Sequence, residues 1–238
     1  MQDARIIRIA ANEADHFSWE IEGAARTIVE YSPTLVFLCN PNNPTGCYMS
    51  EEEVREIAAA LPQDSLLLLD EAYLPFVDSR WNSLPLLDSG NVALLRSMTK
   101  DYALTALRLG YMLAPPDVVE RVRTQQHSWS VNALAQVAGI AALADTAHVE
   151  DGRIAVRDAR RYLIDELETL SLPPVPSSAN FLLVNVGNAR ELRNKLLKRH
   201  RIIVRDCASF GLPSHIRIGI RTKEDCKRLV AALRDTLD

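Results

Sequence analysis

Leu35-Val36-Phe37-Leu38-Cys39-Asn40-Pro41-Asn42-Asn43-Pro44-Thr45-Gly46 sets a short apolar run directly against a cluster of Asn, Pro and Gly. A run this short, bounded by turn residues, reads as a buried strand feeding a loop. The same pattern recurs twice. Leu66-Leu67-Leu68-Leu69 runs into Asp70-Glu71-Ala72-Tyr73, and Val92-Ala93-Leu94-Leu95 runs into Arg96-Ser97-Met98-Thr99-Lys100. Between the first two, Ser50 followed by Glu51-Glu52-Glu53 reads as a capping box that opens a helix, which should stop by Pro62. Strands alternating with helices in this way predict βαβ units and a mainly parallel sheet. A further strand is expected over residues 109–114, closed by Pro115-Pro116.

The periodicity is helical over residues 130–170. Its Ala-rich part, 133–144, is expected to pack closely, and residues 149–170 carry an exposed charged face. Pro173-Pro174-Val175-Pro176 then breaks the chain. Beyond it, strands are expected over 181–186, 202–204 and 215–220, with helices over 189–199 and 223–237. The expected fold class is therefore α/β, with a partial large domain over residues 1–145 and a small C-terminal α+β domain over 146–238.

The 238 residues carry 27 Lys and Arg against 31 Asp and Glu, a formal charge of −4. That balance argues against nucleic acid as a partner, since such binders show a basic face. No apolar run approaches the length of a membrane span, and the first residues lack the apolar stretch of a secretory signal. Four scattered cysteines without C-x-x-C spacing argue against a zinc site or disulfide framework and predict a reducing, cytoplasmic setting. Cys207 reads as a small buried residue, and His127 beside Trp129 as packing. The basic cluster Arg190, Arg193, Lys195, Lys198 and Arg199, mixed with Glu191, reads as a solvated helix face.

Chemically capable residues follow each of the first three strands: Asn43, then Asp70 and Tyr73, then Ser97 and Lys100. In open α/β sheets ligands bind beyond the carboxyl ends of the strands, so these groups should meet in one crevice. An Asp, a Tyr, an Asn, a Lys and an Arg around one crevice suit a cofactor that is at once an aldehyde, an aromatic ring and a phosphate. Pyridoxal 5'-phosphate is that cofactor, with a lysine bonding its aldehyde and an acid pairing its ring nitrogen. Singly, each residue has an ordinary reading as a cap, a turn or a solvated side chain. Their order after successive strands carries the argument.

Asn-Pro-Asn-Asn-Pro-Thr-Gly (40–46), Asp-Glu-Ala-Tyr (70–73), Ser-Met-Thr-Lys (97–100), Leu-Arg-Leu-Gly-Tyr (107–111) and Ile-Arg-Ile-Gly (216–219) together resemble the fold-type I, aspartate-aminotransferase superfamily. More narrowly they resemble its histidinol-phosphate aminotransferase branch, which includes threonine-phosphate decarboxylase. The resemblance implies that Lys100 bonds the cofactor aldehyde and Asp70 holds the ring nitrogen protonated. It implies that Tyr73 and Asn43 hydrogen-bond the ring oxygen, and that Ser97 and Arg108 grip the phosphate. Arg217 would bind the substrate's anionic group, with Arg205 and Asn180 lining the same end. The implied partners are small amino and keto substrates, with 2-oxoglutarate as amino acceptor, and the implied full-length assembly is a homodimer.

Two departures accompany the resemblance. Ala106 stands where Gly usually precedes the Leu-Arg pair. The family's chains are also longer, and residues 1–10 align with the strand that comes about one helix before residue 40. No Gly-rich phosphate loop occurs in a chain with only 9 glycines, and the family's ring-stacking aromatic and the tyrosine lent by a neighbouring subunit have no counterpart. The expectation is a chain lacking the family's N-terminal third. The leading activity is transamination of a phosphorylated amino compound. The alternatives are threonine-phosphate decarboxylase, towards which Thr99 and Arg205-Asp206-Cys207 lean, and a catalytically silent fragment.

Overall fold

Three apolar runs pair side by side in the computed structural model, which describes residues 4–237. In chain order the first half contains α1 (Ile21–Tyr31), β1 (Leu35–Cys39), α2 (Glu51–Ala59), β2 (Leu66–Asp70), β3 (Val92–Ser97), β4 (Gly110–Leu113), α3 (Pro116–Gln125) and α4 (Ala133–Ala144). The sheet runs β1-β2-β3-β4, parallel across the first three strands, with β4 antiparallel at the edge. Alternation fixes which face is covered. Leu38, Leu67, Leu69 and Leu94 are buried under Ile28 of α1 and Val54 and Ile57 of α2. The Ser50 hydroxyl accepts from the Glu53 N–H while the Glu53 carboxylate accepts from the Ser50 N–H, so α2 starts in the expected capping box.

The second half contains α5 (Thr146–Thr169), β5 (Phe181–Asn185), α6 (Ala189–His200), β6 (Arg205–Asp206), β7 (His215–Gly219) and α7 (Lys223–Leu237). Its sheet runs β5-β7-β6 and is antiparallel throughout. Leu163 and Leu167 of α5, Leu196 of α6 and Leu233 of α7 pack on Leu182, Val184, Ile216 and Ile218 to make a second core. The two halves are pinned together by polar contacts. Asp78 receives Arg153 at 3.1 Å and Arg160 at 2.6 Å, Arg160 also donates to the Ala179 carbonyl, and the Ser178 N–H donates to Gly46 O at 2.8 Å.

Several expectations are corrected. Among residues 4–10 no strand forms, and residues 1–3 of that expected strand lie outside the described residues. The strand expected at 202–204 begins at Arg205 instead. Ile203 of the apolar run is exposed, and ladder pairing starts where Arg205 faces Arg217. Residues 116–125, to which the sequence pattern assigned no element, form α3, with Pro116 at the first helical position, where the missing N–H costs nothing. The Ala-rich α4 packs only through a narrow side. Ala135 and Gly139 are buried, whereas Leu134, Val137, Ile140 and Leu143 are exposed. Gly139 permits that approach, since a Cβ there would stand 2.4 Å from Leu109 Cδ2. His127 and Trp129 do not pack, and Trp129 is 94% exposed. On the sheet face away from α1 and α2, Phe37 is 71% exposed.

Gly46 has φ +80°, and a Cβ there would lie 2.0 Å from Ser177 Oγ and 3.2 Å from Ser177 Cα. Gly46→Ala is therefore expected to destabilise the chain by about 2 kcal/mol and lower Tm by about 4–8 °C. Thermal denaturation followed by circular dichroism measures this; an unchanged Tm would mean that the contact between the halves is not tight at this point.

Candidate active site

The loop after β1 is built around a buried amide. Asn40 Nδ2 donates to Met49 O at 3.2 Å, and the Met49 N–H donates to Asn40 Oδ1 at 2.7 Å, so one side chain braces both ends of the turn. Asn42 completes the turn through Thr45 Oγ1 and the Gly46 N–H, and the Asn40–Pro41 and Asn43–Pro44 bonds are cis. Asn43 is thereby presented to the second half of the molecule, where its Oδ1 accepts from Arg217 Nη1.

At the end of β2, Asp70 Oδ1 accepts from the Ala72 N–H at 2.9 Å, which turns the chain and leaves the other carboxylate oxygen as an acceptor. Cys39 is the strand partner of Asp70. Burial, with the Asp70 charge added, pushes the Cys39 thiol up to about 11. Next to Asp70, Glu71 is buried and takes Arg96 of β3 at 2.9 Å, while Arg96 also donates to Ser83 Oγ. This pair ties the ends of β2 and β3 together. Breaking it by removing one partner would leave the other charge uncompensated.

Beyond β3 a row of hydroxyls leads to the lysine. Ser97 Oγ and Thr99 Oγ1 lie 2.7 Å apart, and Lys100 Nζ donates to Thr99 Oγ1 at 2.7 Å. Lys100 Nζ also stands 5.6 Å from the centre of the Tyr73 ring. Tyr73 is half-buried. Burial raises its phenol, and Arg217 pulls it part of the way back, so the hydroxyl keeps its proton at neutral pH.

The second sheet supplies the remaining groups. Arg217 of β7 bonds Asn43, and its guanidinium lies 4.8 Å from the centre of the Phe181 ring of β5. Phe181 in turn meets Tyr73 edge to face, centroids 4.9 Å apart at 88°. Asn43, Arg217, Phe181, Tyr73 and Lys100 are thus joined by successive contacts, with Asp70 at the end of β2 and Ser97 linked to Lys100 through Thr99. Asn180 adjoins this group as the residue before Phe181, its carbonyl accepting from the Ile220 N–H. Arg205 is the strand neighbour of Arg217, but its guanidinium lies over Phe210 and bonds Ser209. Arg108 is exposed and bonds the Thr105 carbonyl rather than Ser97. Sequence reasoning used Thr99 only as a lean towards decarboxylation, giving it no place in the site, and assigned no role to Phe181 or the Glu71–Arg96 pair. Thr99 could have been found from its place between Ser97 and Lys100; the others show only once the strands are paired.

Among the described residues, no group of three or more His, Cys, Asp or Glu could hold a metal ion, and no helix is long and apolar enough to cross a membrane. Residues 1–233 match the sequence profile of the family described as Aminotransferase class I and II. A histidinol-phosphate aminotransferase from Symbiobacterium thermophilum is 41% identical over 85% of this chain and 56% of its own length. The chain thus spans little more than half of the curated relatives it matches. A crystal structure of histidinol-phosphate aminotransferase from Sinorhizobium meliloti, in complex with pyridoxal-5'-phosphate, superposes with a TM-score of 0.87. It is 29% identical, with 97% of this chain and 64% of that one covered. An L-threonine-O-3-phosphate decarboxylase from Porphyromonas gingivalis gives a TM-score of 0.76 at 28% identity, covering 85% of this chain and 64% of its own. With the family profile matched over nearly the whole chain and the fold shared with these structures, the chain belongs to the aminotransferase class I and II family.

Proposed function

We propose that this chain carries the larger part of a pyridoxal 5'-phosphate-dependent aminotransferase of histidinol-phosphate type. The observation that carries the reading is the approach of Lys100 to Tyr73 from adjacent strand ends, with the Asp70 charge and Arg217 acting on the same phenol and Asn43 bonded to Arg217. The donor set fits the cofactor group by group. A carboxylate would suit a ring N–H, an amide and a phenol a ring oxygen, and hydroxyls with a guanidinium a phosphate. When bound, the cofactor supplies an electron sink for a carbanion at the substrate Cα. Asp70 would hold a proton on the ring nitrogen, and Tyr73 Oη with Asn43 would hold the ring oxygen. Lys100 Nζ would move the proton at the substrate Cα. Ser97 and Thr99 would orient the phosphate, with Arg108 reaching it by a change of side-chain rotamer. Arg217 would hold the substrate's anion, with Arg205 and Asn180 at the same end.

The substrate pair we favour is a phosphorylated amino compound and 2-oxoglutarate. Identities of 35–41% to histidinol-phosphate aminotransferases over most of the chain support it. Decarboxylation of a phosphorylated threonine is a second reading, favoured by the likeness to the Porphyromonas gingivalis enzyme. Turnover that needs a keto acid supports the first, and turnover without one supports the second. We assign residues 1–145 to a cofactor-binding large domain and 146–238 to a small domain. We further propose a homodimer in the cytoplasm, in keeping with cysteines that are all free.

Two measurements test this. Adding pyridoxal phosphate to the purified chain should produce a visible absorption band that borohydride locks covalently onto Lys100, and Lys100→Ala should lack it. A folded wild-type chain without such a band would refute cofactor binding by this chain. The charge on Asp70 can be read through Cys39. With its thiol raised to about 11, Cys39 should alkylate only slowly at pH 8, and its rate should climb towards that value. Asp70→Asn should move the rise to lower pH. An unmoved profile would mean that Asp70 carries no charge beside Cys39.

A further inference from the structure

We infer that Phe181 is a positioning residue of this site, its ring holding Arg217 and Tyr73 in one fixed arrangement across the two halves of the molecule. The inference rests on the reading of Arg217 as the group that binds the substrate's anion.

Phe181 opens β5, and its strand register with β7 makes it a diagonal neighbour of Arg217 on one face of the sheet. It is buried, 3% exposed, and its carbonyl accepts from Ser177 Oγ at 2.7 Å, so both backbone and ring are held. The ring is used from two sides. The Arg217 guanidinium stands 4.8 Å from its centroid, and the Tyr73 ring meets it at 4.9 Å and 88°, with Lys100 Nζ 5.6 Å beyond on the Tyr73 ring. Arg217, Phe181, Tyr73 and Lys100 therefore form one row of cation, ring, ring and cation through the crevice.

This arrangement does something that apolar filling alone would not. An arginine fork is planar, with donors that match a carboxylate or phosphate only when its plane is fixed. Arg217 is held on its donor side by Asn43 and by the Tyr73 phenol, contacts that engage its N–H groups. The aromatic face supplies a second restraint without occupying any of its N–H donors. The remaining donors are thereby pre-oriented for an anion, which lowers the ordering cost of binding. The edge contact with Tyr73 couples the same ring to the phenol that would face the cofactor.

The test compares Phe181→Leu, which keeps an apolar side chain but no ring face, with Phe181→Tyr, which keeps the face. Arg217→Ala serves as reference, and thermal melts confirm that each variant is folded. Calorimetry on the cofactor-free chain with glutarate, an unreactive dicarboxylate, gives a readout independent of catalysis. Phe181→Leu should bind glutarate about tenfold more weakly than wild type, and Phe181→Tyr within about threefold, as loss or retention of a desolvated cation–π contact requires. In cofactor-loaded protein the Leu variant should raise KM for the keto acid more than it lowers kcat. Equal binding by wild type and Phe181→Leu, equal losses in the Leu and Tyr variants, or no binding by wild type would each overturn the inference. Failure of the wild-type chain to take up pyridoxal phosphate would instead count against the proposed activity, and the glutarate series would still decide the role of Phe181.

Discussion

Cys39, Asp70 and Leu95 lie side by side where β1 and β2 end and β3 runs two residues further, because β1 pairs with β2 and β2 with β3 in a common register. Each strand then releases its loop from the same edge of the sheet, so residues far apart in the chain start from neighbouring points. A slip of one residue in β2 would turn Asp70 to the opposite face and bury the wrong leucines. The pair of buried Glu71 and half-buried Arg96 works against such a slip. It links the ends of β2 and β3 by a charge contact whose desolvation is repaid only when both partners are in place.

The crevice has a second wall, which comes from an antiparallel sheet with a separate core. Contact between the halves combines directional polar bonds with a small apolar cluster in which Phe17 and Cys47 meet Val175, Leu183 and Cys207. Asp78 gathers two arginines from α5, the Ser178 N–H meets Gly46 O, and Arg217 reaches across to Asn43. Directional contacts of this kind set the relative placement of two preformed units, whereas the apolar cores stabilise each unit. The loop of residues 40–46 belongs to both. Its Asn40 is anchored within the first half, and its Gly46 and Asn43 meet the second.

Much of this was legible beforehand because it is local. Short apolar runs ending in polar clusters located β1, β2 and β3, and Ser50 with Glu53 located the start of α2. The order of Asn43, Asp70, Ser97 and Lys100 after successive strands pointed to one crevice. The errors share a cause. The helix α3 went unassigned because Pro116 serves equally to close a strand and to open a helix, and only the following turn distinguishes the two. Composition suggested close packing for α4, but packing depends on what faces a helix, and its larger apolar residues face no described neighbour. The run at residues 202–204 lost its pairing to Arg205–Asp206 because register is set by the partner strand.

The sequence by itself determined which segments become strands, where they hand over to loops, and which side chains with suitable chemistry follow them, since periodicity, capping and turn preference act over a few residues. Tertiary structure alone decided that Arg217 meets Asn43 and Phe181, that Phe181 meets Tyr73, and that Arg108 and Arg205 turn to other partners. Those outcomes depend on how two independently cored sheets are oriented, and on which of several competing acceptors a long side chain reaches first. No spacing along the chain encodes either.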